Sequence, residues 1–135
     1  MQWNSIQPAG HIDRWGYQKT RAQYAQALTE TDVIVSTAQH EFLGISVIEA
    51  ISAGAYPLVP NRLAYPEVLD LGKTDGVDQF FYDGSVKALT DKLLILARDA
   101  KDNNIWNGDN SAVKLIQCFE WNNLVPVLDK ALTSF

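Results

Sequence analysis

The chain has 135 residues, of which 47% are hydrophobic and 20% charged, and 11 basic against 16 acidic residues give a formal charge of −5. That length suits one domain, and that composition excludes disorder, collagen-like repeats and coiled coil. The acidic balance excludes a surface that grips nucleic acid unaided, because cationic contacts to phosphate supply most non-specific affinity. No apolar run approaches the ~20 residues of a membrane span. Residues 1–5 open without the basic and apolar regions of a signal peptide. Cys118 is the single cysteine, so no internal disulfide can form, which fits a reducing, cytoplasmic setting.

His11-Ile12-Asp13-Arg14-Trp15 alternates and stops at Gly16, the pattern of a short strand. Residues 18–30 place Ala22, Ala25 and Leu28 three apart among polar residues, which predicts a helix with a narrow, small-residue face. Val33-Ile34-Val35-Ser36 is a β-branched run of buried-strand type. A polar stretch from Thr37 to Gly44 leads into a helix over 45–53, which Gly54 closes. Tyr56-Pro57-Leu58-Val59 reads as a third strand, with proline tolerated among its first residues, and Gln79-Phe80-Phe81-Tyr82 as a fourth. Leu71 to Gly76 is a turn-rich loop. After Ser85, Val86, Leu89, Leu93, Leu96 and Ala100 mark one helical face. Val113, Ile116 and Phe119 predict another helix. Leu124, Leu128, Ala131 and Phe135 predict a last one, with Asn122 as N-cap and Pro126 in the first turn. Strands alternating with helices imply an α/β fold: a parallel, Rossmann-like sheet of about four strands with a helical C-terminal cover, in a single domain over 1–135.

In such sheets ligands sit at the carboxyl ends of the strands. The loop after Val33–Ser36 carries two carboxylates, Glu41 and Glu49, with seven residues between them. A Gly-containing turn between them would present amides at a helix N-terminus, which favours an anion. Carboxylates beside it could accept bonds from sugar or ribose hydroxyls, so the pair describes a nucleotide-sugar site. Two readings of Glu49 stand, because Ser46-Val47-Ile48-Glu49 is also a capping box in which the glutamate only satisfies the helix start. Glu41 reads equally as a solvated loop acid and His40 as a satisfied loop histidine. P-loop and G-x-G-x-x-G signatures are both missing.

As a block, residues 31–54 resemble the donor-site segment of glycosyltransferase family 4, retaining enzymes of the GT-B fold marked by E-x7-E. Pro57 and Pro66-Glu67 fit the same pattern. Ser36 to Phe42 and Pro60 to Glu67 are most similar to the subgroup that mannosylates queuosine in tRNA. Asn61-Arg62-Leu63-Ala64-Tyr65 replaces the usual Gly-rich loop there. Phe119-Glu120-Trp121-Asn122 and the last helix resemble the crossover helix of GT-B enzymes. The resemblance implies that Glu49 bonds the ribose, and that Glu41 and His40 act at the donor sugar. It implies amides of Phe42, Leu43 and Gly44 near the sugar and diphosphate, and further donor contacts from Asn61 and Arg62, although Arg62 reads equally as a surface ion-pair residue. GDP-mannose is the implied donor, with no metal and no other cofactor.

The resemblance also implies that this chain is the C-terminal, donor-binding piece of a two-domain enzyme. It would lack the first strands of its domain and the whole N-terminal domain, which would contact the tRNA, and alone it would be inactive. The strand at Val33 would then carry an unpaired apolar edge, a template for a homo-oligomer. A competing reading is a non-catalytic nucleotide-binding or interaction domain of the same fold.

Overall fold

A computed structural model describes residues 14, 16–70, 72–102, 104–106 and 111–133. Three strands, β1 (Val33–Val35), β2 (Tyr56–Pro60) and β3 (Phe81–Tyr82), form a parallel sheet in that order. The helices are α1 (Arg21–Thr29), α2 (Ile45–Ser52), α3 (Tyr65–Val68), α4 (Val86–Lys101), α5 (Ser111–Ile116) and α6 (Trp121–Thr133). The fold is α/β and Rossmann-like, with three strands among the described residues where about four are predicted. The strand expected at 11–15 lies outside the described residues except for Arg14, which is in no strand. In the expected fourth strand, Val77–Phe80 winds as a 3-10 helix and only Phe81 and Tyr82 pair.

Central strand β2 is buried along its whole length, yet it contains Pro57 and Pro60. Backbone alternation explains both. Tyr56 N–H bonds Asp32 on the β1 side and Asn61 N–H bonds Tyr82 on the β3 side, so Pro57 faces β3. There the ladder starts only at the Val59–Phe81 pair, and no bond is lost. Pro60 faces β1, where its missing N–H would have met the Ser36 carbonyl. The Tyr82 hydroxyl donates to that carbonyl instead, at 2.9 Å. A side chain thus completes the ladder that proline interrupts.

Leu58, Val59, Ile51, Leu69, Phe80 and Tyr65 are the largest fully buried side chains and centre the core on β2. Burying each such chain stabilises by about 1.5–3 kcal/mol. At the amino end of β2, Tyr56 packs edge-on to Phe80 and tilted against Trp106, with its ring 5.1 Å from each. Strand β1 is half-buried. It is the outer strand of the described sheet, so it is less enclosed than its β-branched sequence suggests.

Helix α2 lays Val47, Ala50 and Ile51 into the core. It ends in a Schellman pattern, with Ala55 N–H on Ala50 O, Gly54 N–H on Ile51 O, and Gly54 at φ +106°. Thr20 caps α1 through Gln23 N–H. That helix buries no residue, and its inner side is Tyr24, Ala27 and Leu28, with Ala22 and Ala25 exposed. The face expected at 22, 25 and 28 is therefore rotated toward the bulkier tyrosine. Ser85 caps α4, whose inner face begins at Ala88 and Leu89 because Val86 is exposed. The helix expected over 113–119 is α5 followed by a 3-10 turn at Gln117–Phe119. Helix α6 starts at Trp121, so Asn122 is its second residue rather than its cap. Pro126 falls at the sixth position, inside the helix. No α6 residue is buried, and Trp121, Val127 and Leu132 are exposed, so this last helix covers the sheet less than expected.

Candidate functional site

The carboxyl ends of β1 and β2 open into two loops that the core ties together. Ser36 is buried at the end of β1. Its Oγ lies 2.7 Å from the Tyr65 hydroxyl and accepts the Ala38 N–H. Arg62 grips the same segment from the second loop, its Nε and Nη2 donating to the Ala38 carbonyl at 3.2 and 3.0 Å. Gly84 makes room for that guanidinium, because a Cβ there would sit 3.2 Å from Nη1. Tyr82 closes the cluster through Ser36 O, and burial pushes its phenol up. Arg62, expected at the donor, has a bonded role within the protein. Asn61 bonds Tyr82 through its backbone, and its side chain is exposed.

Beyond Ala38 the loop runs outward. His40, Glu41 and Phe42 are exposed, and Phe42 completely so. Glu41 Oε1 accepts the adjacent Phe42 N–H, at 3.0 Å. Gly44 then dives under the loop at φ +75°, where an added Cβ would lie 2.7 Å from Tyr65 Cε1. Only glycine combines that left-handed backbone with that close ring.

Gly44 is the N-cap of α2, and no side chain caps the helix. Its carbonyl accepts from Val47 and Ile48. Ile45 and Ser46 begin the first turn, where helix amides lack intrahelical partners and the dipole is positive. Ser46 therefore lies inside the helix and is exposed, and the capping-box reading of Ser46 and Glu49 is overturned. Glu49 is the fifth residue of α2 and is exposed. Its Oε2 accepts the Tyr24 hydroxyl from α1 at 2.6 Å. That hydrogen bond, with burial and the carboxylate charge adding to it, pushes the Tyr24 phenol up to about 12.

Glu49 and Tyr24 line a groove of about 600 Å³ between α1, α2, the 117–119 turn and the start of α6. Leu28, Ile45, Ile48, Phe119 and Leu124 supply apolar walls. Of the residues singled out in the sequence, Glu49 and Leu43 share this groove. His40, Glu41, Phe42, Gly44, Asn61 and Arg62 are not among its lining residues. Glu41 and Glu49, paired in the sequence reading, share no hydrogen bond. Sequence reasoning missed Tyr24, Ser36, Tyr65 and Tyr82, because nothing in spacing announces contacts made 25, 29 or 46 residues apart. Among the described residues no group of three or more His, Cys, Asp or Glu side chains is placed to hold a metal ion. Nor is any of their helices long and apolar enough to cross a membrane.

No solved structure matches the chain. Over 59 residues it is 44% identical to the tRNA-queuosine alpha-mannosyltransferase of Drosophila melanogaster. That stretch is 44% of this chain and 14% of the fly protein. The model of the family described as glycosyl transferases group 1 matches residues 6–110. With all three described strands, Glu49 and the uncapped α2 within that span, this chain belongs to the glycosyl transferases group 1 family.

Proposed function

We propose that the chain is the donor-binding, C-terminal part of a retaining glycosyltransferase of family 4, with GDP-mannose as donor and queuosine in tRNA as acceptor. The observation that carries the reading is a carboxylate, Glu49, in a groove one turn from the uncapped start of α2. The amide end suits a diphosphate and the carboxylate suits a ribose diol. The mannosyl and queuosine specificity rests on the similarity to the fly mannosyltransferase. In the reaction the bond from the anomeric carbon to the diphosphate oxygen breaks. The nucleoside diphosphate leaves with the electron pair, and an acceptor hydroxyl attacks from the same face and gives its proton to the departing phosphate oxygen. Catalysis of that step rests on positioning and charge stabilisation.

His40, Glu41 and Phe42 are exposed in the loop that leads into α2, and in this reading they meet the sugar. Neither metal nor other cofactor enters this reading. The tRNA would be held by a further domain, and the exposed Cys118 is compatible with a reducing cytoplasm. The outer edge of β1 would pair with a second copy.

Titration calorimetry of the chain with GDP, GDP-mannose and UDP-glucose tests the reading. Saturable binding of the guanine nucleotides, weakened about tenfold in Glu49→Gln, is expected, since one lost hydrogen bond of a charged group contributes roughly 1.5–3 kcal/mol. A second reading, a non-catalytic domain of the same fold, has one observation in its favour: Glu49 already holds a protein hydroxyl. A flat titration with all three ligands would decide for it.

A further inference from the structure

Tyr24 lies half-buried on the inner side of α1, which explains its ring but not its hydroxyl. No α1 residue is fully buried, so packing there would be served as well by phenylalanine. Its hydroxyl crosses the groove and donates to Glu49 Oε2 at 2.6 Å, a short, charge-assisted bond. The other oxygen, Oε1, has no protein partner among the described residues. Glu49 is on the exposed side of α2, and a free glutamate there would move among many rotamers. Ordering such a side chain on binding costs affinity. The helix that carries Tyr24 is itself fixed at this end, by the Thr20 cap on Gln23 N–H and by Tyr24 N–H on Thr20 O.

We infer that Tyr24 is a positioning residue for the donor site: by holding one oxygen of Glu49, it aims the other into the groove to receive the diol of a nucleoside diphosphate. The inference rests on the proposed donor-binding role of Glu49. Because the phenol is pushed up to about 12, it remains a donor throughout the physiological range. Its ring keeps its place on α1 if the hydroxyl alone is removed, so Tyr24→Phe separates orientation from folding.

The experiment compares affinity for GDP and for 2′,3′-dideoxy-GDP, by calorimetry, in the full chain and in Tyr24→Phe. The unaltered chain is expected to prefer GDP by about tenfold, an increment of one good hydrogen bond. Tyr24→Phe is expected to lower GDP affinity three- to tenfold, leave dideoxy-GDP affinity unchanged, and so erase most of the preference. Equal weakening of both ligands would show that the tyrosine only supports the groove wall, and would overturn the inference. An undiminished preference in Tyr24→Phe would overturn it too, while leaving the role of Glu49 standing. No preference in the unaltered chain would overturn both together.

Discussion

Gly44 carries two constraints at once, a backbone at φ +75° and a ring carbon of Tyr65 within 2.7 Å of any added Cβ. Tyr65 cannot swing aside freely, because it is buried and its hydroxyl is bonded to Ser36. Gly44→Ala should therefore lose about 2–4 kcal/mol, combining left-handed strain with overpacking. Gly54→Ala supplies the comparison. Its φ is +106° but nothing lies within 4 Å of an added Cβ, so only the backbone cost of roughly 1–2 kcal/mol applies. Urea unfolding of the two variants measures the difference, and equal losses would show that the Tyr65 contact yields. At this scale the sequence located the turn and the glycine. It did not identify the tyrosine above it, 21 positions away, because cross-loop contacts leave no periodic trace.

Helices were legible where burial and periodicity agree. Helix α4 is amphipathic, capped by Ser85 and ends in Arg98 and Lys101, so local signals fixed its span. Helix α1 was found, but its inner side was misassigned, since alanine at 22 and 25 offers little area to bury while Tyr24 offers much. Helix α6 departs furthest from expectation. Pro126 at its sixth position removes an internal N–H, at a cost of about 3 kcal/mol. Pro126→Ala should slow amide exchange across 121–133 by about tenfold or more. The global unfolding midpoint should hardly move, because α6 buries no residue. Hydrogen exchange with mass analysis reads both, and unchanged exchange would show that the helix already absorbs the proline.

Charge is a property of the whole chain. Its −5 is unevenly spread, and residues 65–109 hold nine acids against five bases. Such a surface repels polyphosphate. The chain alone is expected to show no saturable tRNA binding at ~0.15 M salt, where electrostatic contacts to phosphate are already weakened. A filter-binding assay with unmodified and queuosine-bearing tRNA checks this. Micromolar affinity for either would place an acceptor surface within this chain.

The sequence alone determined the α/β class, the strands at 33 and 56, and the helix that Gly54 closes. It also marked Glu49 as a residue to watch. Each of these follows from local rules: β-branched runs, helical spacing, and glycine where φ must turn positive. Only the tertiary structure decided what Glu49 bonds within the protein. The capping box and the ribose ligand were equally compatible with Ser46-Val47-Ile48-Glu49. Gly44 as N-cap excludes the box, and the bond that Glu49 makes within the protein is to a hydroxyl 25 residues earlier, brought within 2.6 Å by the packing of α1 on α2. In the same way, Pro60 lies just past the strand read from sequence at Tyr56–Val59, yet it ends β2 and the Tyr82 hydroxyl completes its ladder. Periodicity encodes which side of an element is apolar, whereas the partner of a polar atom depends on which elements the fold sets side by side.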